Sequence, residues 1–270
     1  MDELIIMLSF DFVKRALLVG VLVSVCAALL GVILVLKHYS LIGHGLADIG
    51  FASLTFALAL GINPLLISTP VVILASFIIM AYSQKKGVSG DTAIGIAATT
   101  ALAIGGIIAF MSKGFNMDVG EYLFGSILSL EKTDVYLSIA LAITVLTIFI
   151  VLYNRLFIIT CDEGFAKASG INVSMYQFII SFLTAVTVVI GMRIVGTLLI
   201  SSLIIFPAVT AKKLAKSFKG MVIASAVVSV VCFLIGMFAS TLLSMPTGAS
   251  IVAANVIVLV FASLCEKIFP

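Results

Sequence analysis

Apolar runs about 20 residues long, following one another almost without pause, constrain this chain most. A helix needs about 20 mostly apolar residues to cross the hydrocarbon core of a bilayer. Such runs fall at 16–36, 42–60, 64–82, 92–111, 134–153, 174–192, 194–211, 220–243 and 249–265. The chain is 63% hydrophobic and 10% charged, whereas a soluble domain carries about 25% charged residues. It therefore lacks the surface chemistry to live in water. The reading is an all-α polytopic membrane protein of nine spans, or eight if one run is re-entrant. No loop is long enough for a soluble domain, so residues 1–270 form a single transmembrane domain. The net charge of +3 carries no argument for nucleic acid.

The connections set the expected orientation. With nine spans, Lys37, Lys85 and Lys86, Arg155, Lys167, the cluster Lys212, Lys213, Lys216 and Lys219, and Lys267 share one side. Basic residues collect in cytoplasmic loops, which places the N-terminus outside and the C-terminus in the cytoplasm, although Lys14, Arg15 and Arg193 oppose this. Residues 1–13 mix Asp2, Glu3 and Asp11 with apolar residues and read as an interfacial segment. Met1–Phe12 has no basic n-region or small-residue cleavage site, so no cleavable signal is expected. In the outer connection 112–133, the apolar patch Tyr122–Leu130, with Gly120 and Gly125, is too short to span and is expected to dip into or cap the bundle. Cys26, Cys161, Cys232 and Cys265 are far apart, without a CxxC, and read as small apolar residues.

Inside the second run, LIGHGLADIGF (41–51), His44 and Asp48 stand four residues apart. On a helix, i and i+4 share a face. Ionisable residues in a span are costly and usually face a polar path or each other. One reading is a neutral histidine bonded to a carboxylate, locking two helices. The other is a transient ligand pair for a divalent cation. Imidazole with carboxylate suits zinc, and also manganese or iron, better than the all-oxygen calcium and magnesium sites. Two ligands make a weak site; a two-fold axis through the path would bring four together, and conduction needs binding loose enough to release. Gly43, Gly45 and Gly50 would let backbones approach closely or let the helix bend.

Two further stretches stand out. In 154–172, Asp162, Glu163, Phe165, Ala166 and Gly170 read as a short helix, with an acid near its start and a C′ glycine needing positive φ. Its shape suits docking into another protein's groove; the alternative is a solvated loop. In 194–211, Pro207 removes a helical hydrogen bond and is expected to kink the span, and Ser201 and Ser202 can re-satisfy freed carbonyls. That combination fits a moving or pore-lining helix as well as tight packing. Neither GxxxxGK[ST] nor HExxH nor GxSxG occurs, so the chain has no phosphate loop of its own and is not expected to be an enzyme.

The run LKHYSLIGHGLADIGFASL resembles the corresponding stretch in the integral membrane subunit of ATP-binding-cassette importers for zinc, manganese and iron. The run from Arg155 through Asp162, Ala166 and Gly170, and the later VGTLLISSLIIFPAVTA, agree in order and topology. The resemblance covers residue 10 to the end. It implies a homodimer in a prokaryotic plasma membrane, two cytoplasmic ATPase subunits docked on a coupling helix near 162–170, and an extracytoplasmic metal-binding protein. ATP would switch the dimer between outward-open and inward-open states. In that family the motif commonly reads G-D-x-L-x-H and lies in the metal path. Here Gly43-His44-Gly45-Leu46-Ala47-Asp48 exchanges acid and histidine, and the pore role is carried to His44 and Asp48. The implied function is a permease subunit importing a divalent transition metal, zinc first and manganese or iron next, with no permanently bound cofactor. Alternatives are a permease for chelated-iron or corrinoid cargo, a proton-coupled secondary transporter using His44–Asp48 as a relay, and a scaffold membrane protein.

Overall fold

The structure, a computed structural model, describes residues 11–86, 89–111, 132–243 and 245–268. The described residues are helical, with no strand. In chain order the helices are α1 (Asp11–Leu36), α2 (Ile42–Ala59), α3 (Pro64–Lys86), α4 (Gly90–Met111), α5 (Lys132–Val151), α6 (Tyr153–Cys161), α7 (Glu163–Ala168), α8 (Val173–Val195), α9 (Thr197–Leu214), α10 (Phe218–Leu243) and α11 (Thr247–Ile268). Seven are long and apolar enough to cross a membrane. Of the remaining two long helices, α3 holds a shorter apolar stretch, Leu66–Tyr82, and α9 ends in Lys212 and Lys213. Large apolar side chains such as Phe110, Ile150 and Leu66 face outward, as lipid-facing residues do. The chain is a multi-pass membrane protein.

Three boundaries differ from those expected. Helix α1 begins at Asp11, within the stretch expected to be interfacial, and an acid in its first turn suits the helix dipole. The expected break near Arg193 lies instead at Gly196, whose φ of +88° is open to glycine at no steric cost. Before Asp162, where only one short helix starting near Asp162 is expected, stands a further helix, α6, which turns Leu156 and Ile159 inward. Residues 1–10, 112–131 and 269–270 lie outside the described residues, and with them most of the expected interfacial segment and the Tyr122–Leu130 patch.

Helix α1 runs through the centre of the packing, touching α5, α8, α9 and α10. Its contact with α9 is extreme: a Cβ on Gly31 would stand 2.1 Å from the Ile204 carbonyl oxygen, so the two backbones meet there. Hydroxyls join other helices. Ser225 and Ser229 of α10 donate to the carbonyls of Ala28 and Ser24 on α1 at 3.2 and 3.0 Å. Ser76 of α3 and Ser181 of α8 lie 2.9 Å apart, beside the stacked rings of Phe77 and Phe178. Between lipid-facing helices, where water-driven apolar association is absent, small residues and hydroxyls of this kind hold the bundle.

Candidate metal pathway and docking helix

The turn joining α1 to α2 is a fully bonded helix end. Tyr39 N–H donates to the Leu34 carbonyl at 2.9 Å and His38 N–H to that of Val35 at 3.3 Å, the paired bonds of a Schellman motif. Its left-handed residue is His38, at φ +60°, rather than glycine. The turn is then pinned to α4. Leu41 N–H donates to Asp91 Oδ1 at 3.0 Å, and a Cβ on Gly90 would lie 2.5 Å from the Tyr39 ring.

From this anchored turn α2 starts, and His44 occupies its first turn. His44 Nε2 lies 3.7 Å from Asp48 Oδ2, an ion-pair distance longer than a hydrogen bond. The imidazole is 53% exposed and the carboxylate 15%. Gly43 and Gly45 flank the histidine. Added Cβ atoms would stand 2.7 Å from Ile204 Cδ1 of α9 and 2.4 Å from Ile94 Cγ2 of α4. Both glycines therefore let neighbouring helices close on α2, and positive φ occurs at neither.

His44 opens into a cavity of about 500 Å³ walled by Leu41, by Ser201, Ser202, Ile205 and Phe206 of α9, and by Ala249, Val252 and Ala253 of α11. The structure thus brings His44, Ser201 and Ser202 to one space, while Asp48 reaches it through the histidine. The serines do not re-satisfy the carbonyl freed by Pro207, which is that of Leu203. They donate to Thr197 and Leu199, each at 2.8 Å, because a hydroxyl on a helix reaches back three or four residues. Their oxygens keep acceptor capacity. Helix α9 continues through Pro207 to Leu214. Among the described residues, no group of three or more His, Cys, Asp or Glu side chains is gathered for a metal, so one chain offers the pair alone. The apolar walls from α11 carried no signal in the sequence.

At the far end of the α1–α2 turn stands α7. Asp162 caps it, accepting from Phe165 N–H at 2.9 Å, and Gly170 at φ +76° closes it with a second Schellman pair, Gly170 N–H to Lys167 and Ile171 N–H to Ala166. Ala166 is buried, while Phe165 is 59% exposed, so the helix turns an aromatic ring outward. Glu163 faces inward. Its carboxylate accepts from Lys37 at 3.1 Å, from Lys167 at 2.9 Å and from Gln177 of α8 at 3.3 Å. Burial works to raise this carboxyl, but Lys167 and Lys37 outweigh it and hold the group below the ordinary glutamate range. Arg155 of α6 donates to the Tyr176 hydroxyl of α8.

A model of the ABC 3 transport family matches residues 9–266. The manganese import system permease protein ScaB of Streptococcus gordonii is 30% identical over 250 residues, 93% of this chain and 90% of that protein. The high-affinity zinc uptake system membrane protein ZnuB of Haemophilus influenzae is 28% identical over 254 residues, covering 94% and 97%. Among solved structures, PsaBC from Streptococcus pneumoniae in complex with Fab superposes with a TM-score of 0.82 at 28% identity, over 95% of this chain and 92% of that one.

Proposed function

The chain belongs to the ABC 3 transport family, and from that premise and the site geometry we propose that it forms the membrane pathway of an ATP-driven importer for zinc or manganese. It is a multi-pass prokaryotic membrane permease of a metal importer, as its relatives named for manganese and zinc are. The observation that carries the cargo is the His44–Asp48 pair, an imidazole and a carboxylate on successive turns at the mouth of a cavity with apolar walls. Both side chains are ordinary ligands of zinc and manganese. Two donors bind loosely, and a second copy placed across the open side of the cavity supplies two more. The resulting homodimer keeps a four-donor site whose halves can part, which suits a path that must release its cargo.

The remaining parts follow. ATP hydrolysis belongs to a separate subunit, two copies of which dock on α7 around the exposed Phe165, with Asp162, Glu163, Ala166 and Gly170 shaping the docking helix. An extracytoplasmic protein delivers the metal. The orientation puts the N-terminus outside and the C-terminus in the cytoplasm, across eight to nine spans. It is supported by the gathering of the basic connections at one end, where Lys37 meets Glu163, Phe157 packs on Phe218 and Lys213 meets Glu266 at 2.8 Å. Gly43, Gly45, Ser201, Ser202 and Pro207 line or pack the path.

The test is uptake of zinc, manganese and iron by cells holding the chain with its ATPase and binding protein, with protein level in the membrane followed. His44→Ala and Asp48→Ala are each expected to reduce uptake of one metal to the level of cells lacking the chain, with the ATPase still bound. Undiminished uptake in both variants would overturn the pathway assignment.

A further inference from the structure

We propose that the Lys37–Glu163 pair is the mechanical link through which movement of α7 reaches the His44 cavity. The inference rests on the importer reading above and goes beyond it by naming the residues that transmit the motion. Helix α7 packs on α6 and α8 and reaches the α1–α2 turn through this pair, whose members lie 126 positions apart in sequence. The Lys37 side chain is only 10% exposed, so its ammonium has little water to fall back on and stays with the carboxylate when α7 moves. Gln177 donates to the same Glu163 oxygen, and Lys167 holds the other. Together they fix the carboxylate's direction toward Lys37.

What lies beyond Lys37 makes the link effective. The two Schellman bonds and the Leu41–Asp91 bond leave residues 37–41 little freedom to absorb a displacement. His44 follows one turn into α2, whose first turn is clasped by α9 at Gly43 and by α4 at Gly45. A pull at Lys37 is therefore passed into the first turn of α2 against α9, which changes the cavity that His44 shares with Ser201 and Ser202. Lys37 is a positioning residue: it touches neither the cargo path nor the exposed Phe165 face of α7.

The measurement is made on the whole importer, this chain with its ATPase and binding protein in lipid vesicles, following ATP hydrolysed and zinc and manganese moved. Lys37→Met is expected to leave the ATPase bound and hydrolysing while metal moved per ATP falls about tenfold, within the roughly 5–150-fold span of couplings between sites. Lys37→Arg, which keeps the charge, restores the ratio; Lys37→Glu lowers it further. Glu163→Gln tests the same link from the other side: whatever it does to the amount of ATPase bound, the metal moved per ATP by the importer that remains assembled is expected to fall as in Lys37→Met. An unchanged ratio in Lys37→Met and Glu163→Gln overturns the link, as does loss of bound ATPase in step with uptake, which would make the pair an assembly contact. A wild-type importer that moves neither metal overturns the function instead, and so is distinguishable.

Discussion

Helix α7 is tied at every point: Asp162 caps its start, Gly170 closes its end, and Glu163 holds three donors at 2.9 to 3.3 Å. At the His44 cavity the two donors stand 3.7 Å apart, the imidazole is half in the open, and the cavity itself is open. A six-residue helix is far below the roughly 12 residues at which isolated helices become even marginal in water, so it holds its shape only through such ties. A transported ion must leave, so its ligands are best left separable. Under the proposed function, the firm element is the one that would pass on force and the loose one the one that would let its cargo go.

The largest effect is expected where α1 and α9 touch backbone to backbone, behind the cavity. Gly31→Ala would put a Cβ 2.1 Å from the Ile204 carbonyl oxygen. That is backbone and cannot swing aside, so α1 and α9 must separate, at a cost of about 1–3 kcal/mol or more. Gly106→Ala on the outer face of α4 meets nothing within 4 Å and gains up to about 1 kcal/mol of helix propensity. Thermal unfolding of the purified chain in detergent should show a clear drop for the first and none for the second. Equal behaviour would mean that α1 and α9 do not meet as described.

These two glycines also mark what could be read from the sequence. Gly31 and the Gly105-Gly106 pair look alike there, as glycines in apolar runs, because helix-to-helix distance is a tertiary quantity. Asp162 and Gly170 were legible since their bonds reach only three to five residues along the chain. The His44–Asp48 spacing was legible for the same reason. The partnership of Lys37 with Glu163 was not, nor was the wall that α11 adds to the cavity. Helix α6 was missed because only Leu156 and Ile159 of its nine residues are buried, too few for a visible period.

A smaller effect separates the two Schellman ends beside Glu163. At Gly170 any side chain enters the left-handed region, so Gly170→Ala is expected to cost about 1–2 kcal/mol, and Asp162→Ala about 1 kcal/mol through loss of the cap. Both loosen α7 and should reduce the amount of ATPase that copurifies while leaving the chain inserted. At His38 the sign reverses. The histidine already sits at φ +60°, and His38→Gly removes that strain while adding freedom to the unfolded chain. The two nearly cancel, and detergent melting should move upward slightly or not at all. A large loss in His38→Gly would show that the imidazole itself holds the turn.

The smallest effect expected is that of pH on the α7 tether. Glu163 is held below the ordinary glutamate value of 4.5: burial raises it, and Lys167 and Lys37 lower it further. With the folded group depressed, the unfolded chain is the one that binds a proton first as pH falls. The contribution to stability is therefore complete above the ordinary carboxylate range and is lost only as pH drops through the lower folded value. Amide exchange in residues 162–170 of the detergent-solubilised chain should stay constant from about pH 8 to about pH 5.5, once corrected for intrinsic rates, and rise only in stronger acid. In Glu163→Gln that acid-dependent rise should be smaller, with only the Asp162 cap left as a carboxylate tie on α7. A wild-type tether that already loosens between about pH 7 and pH 6 would have to depend on an imidazole rather than on this carboxylate, and His38, next to Lys37 in the same turn, would be the group to replace.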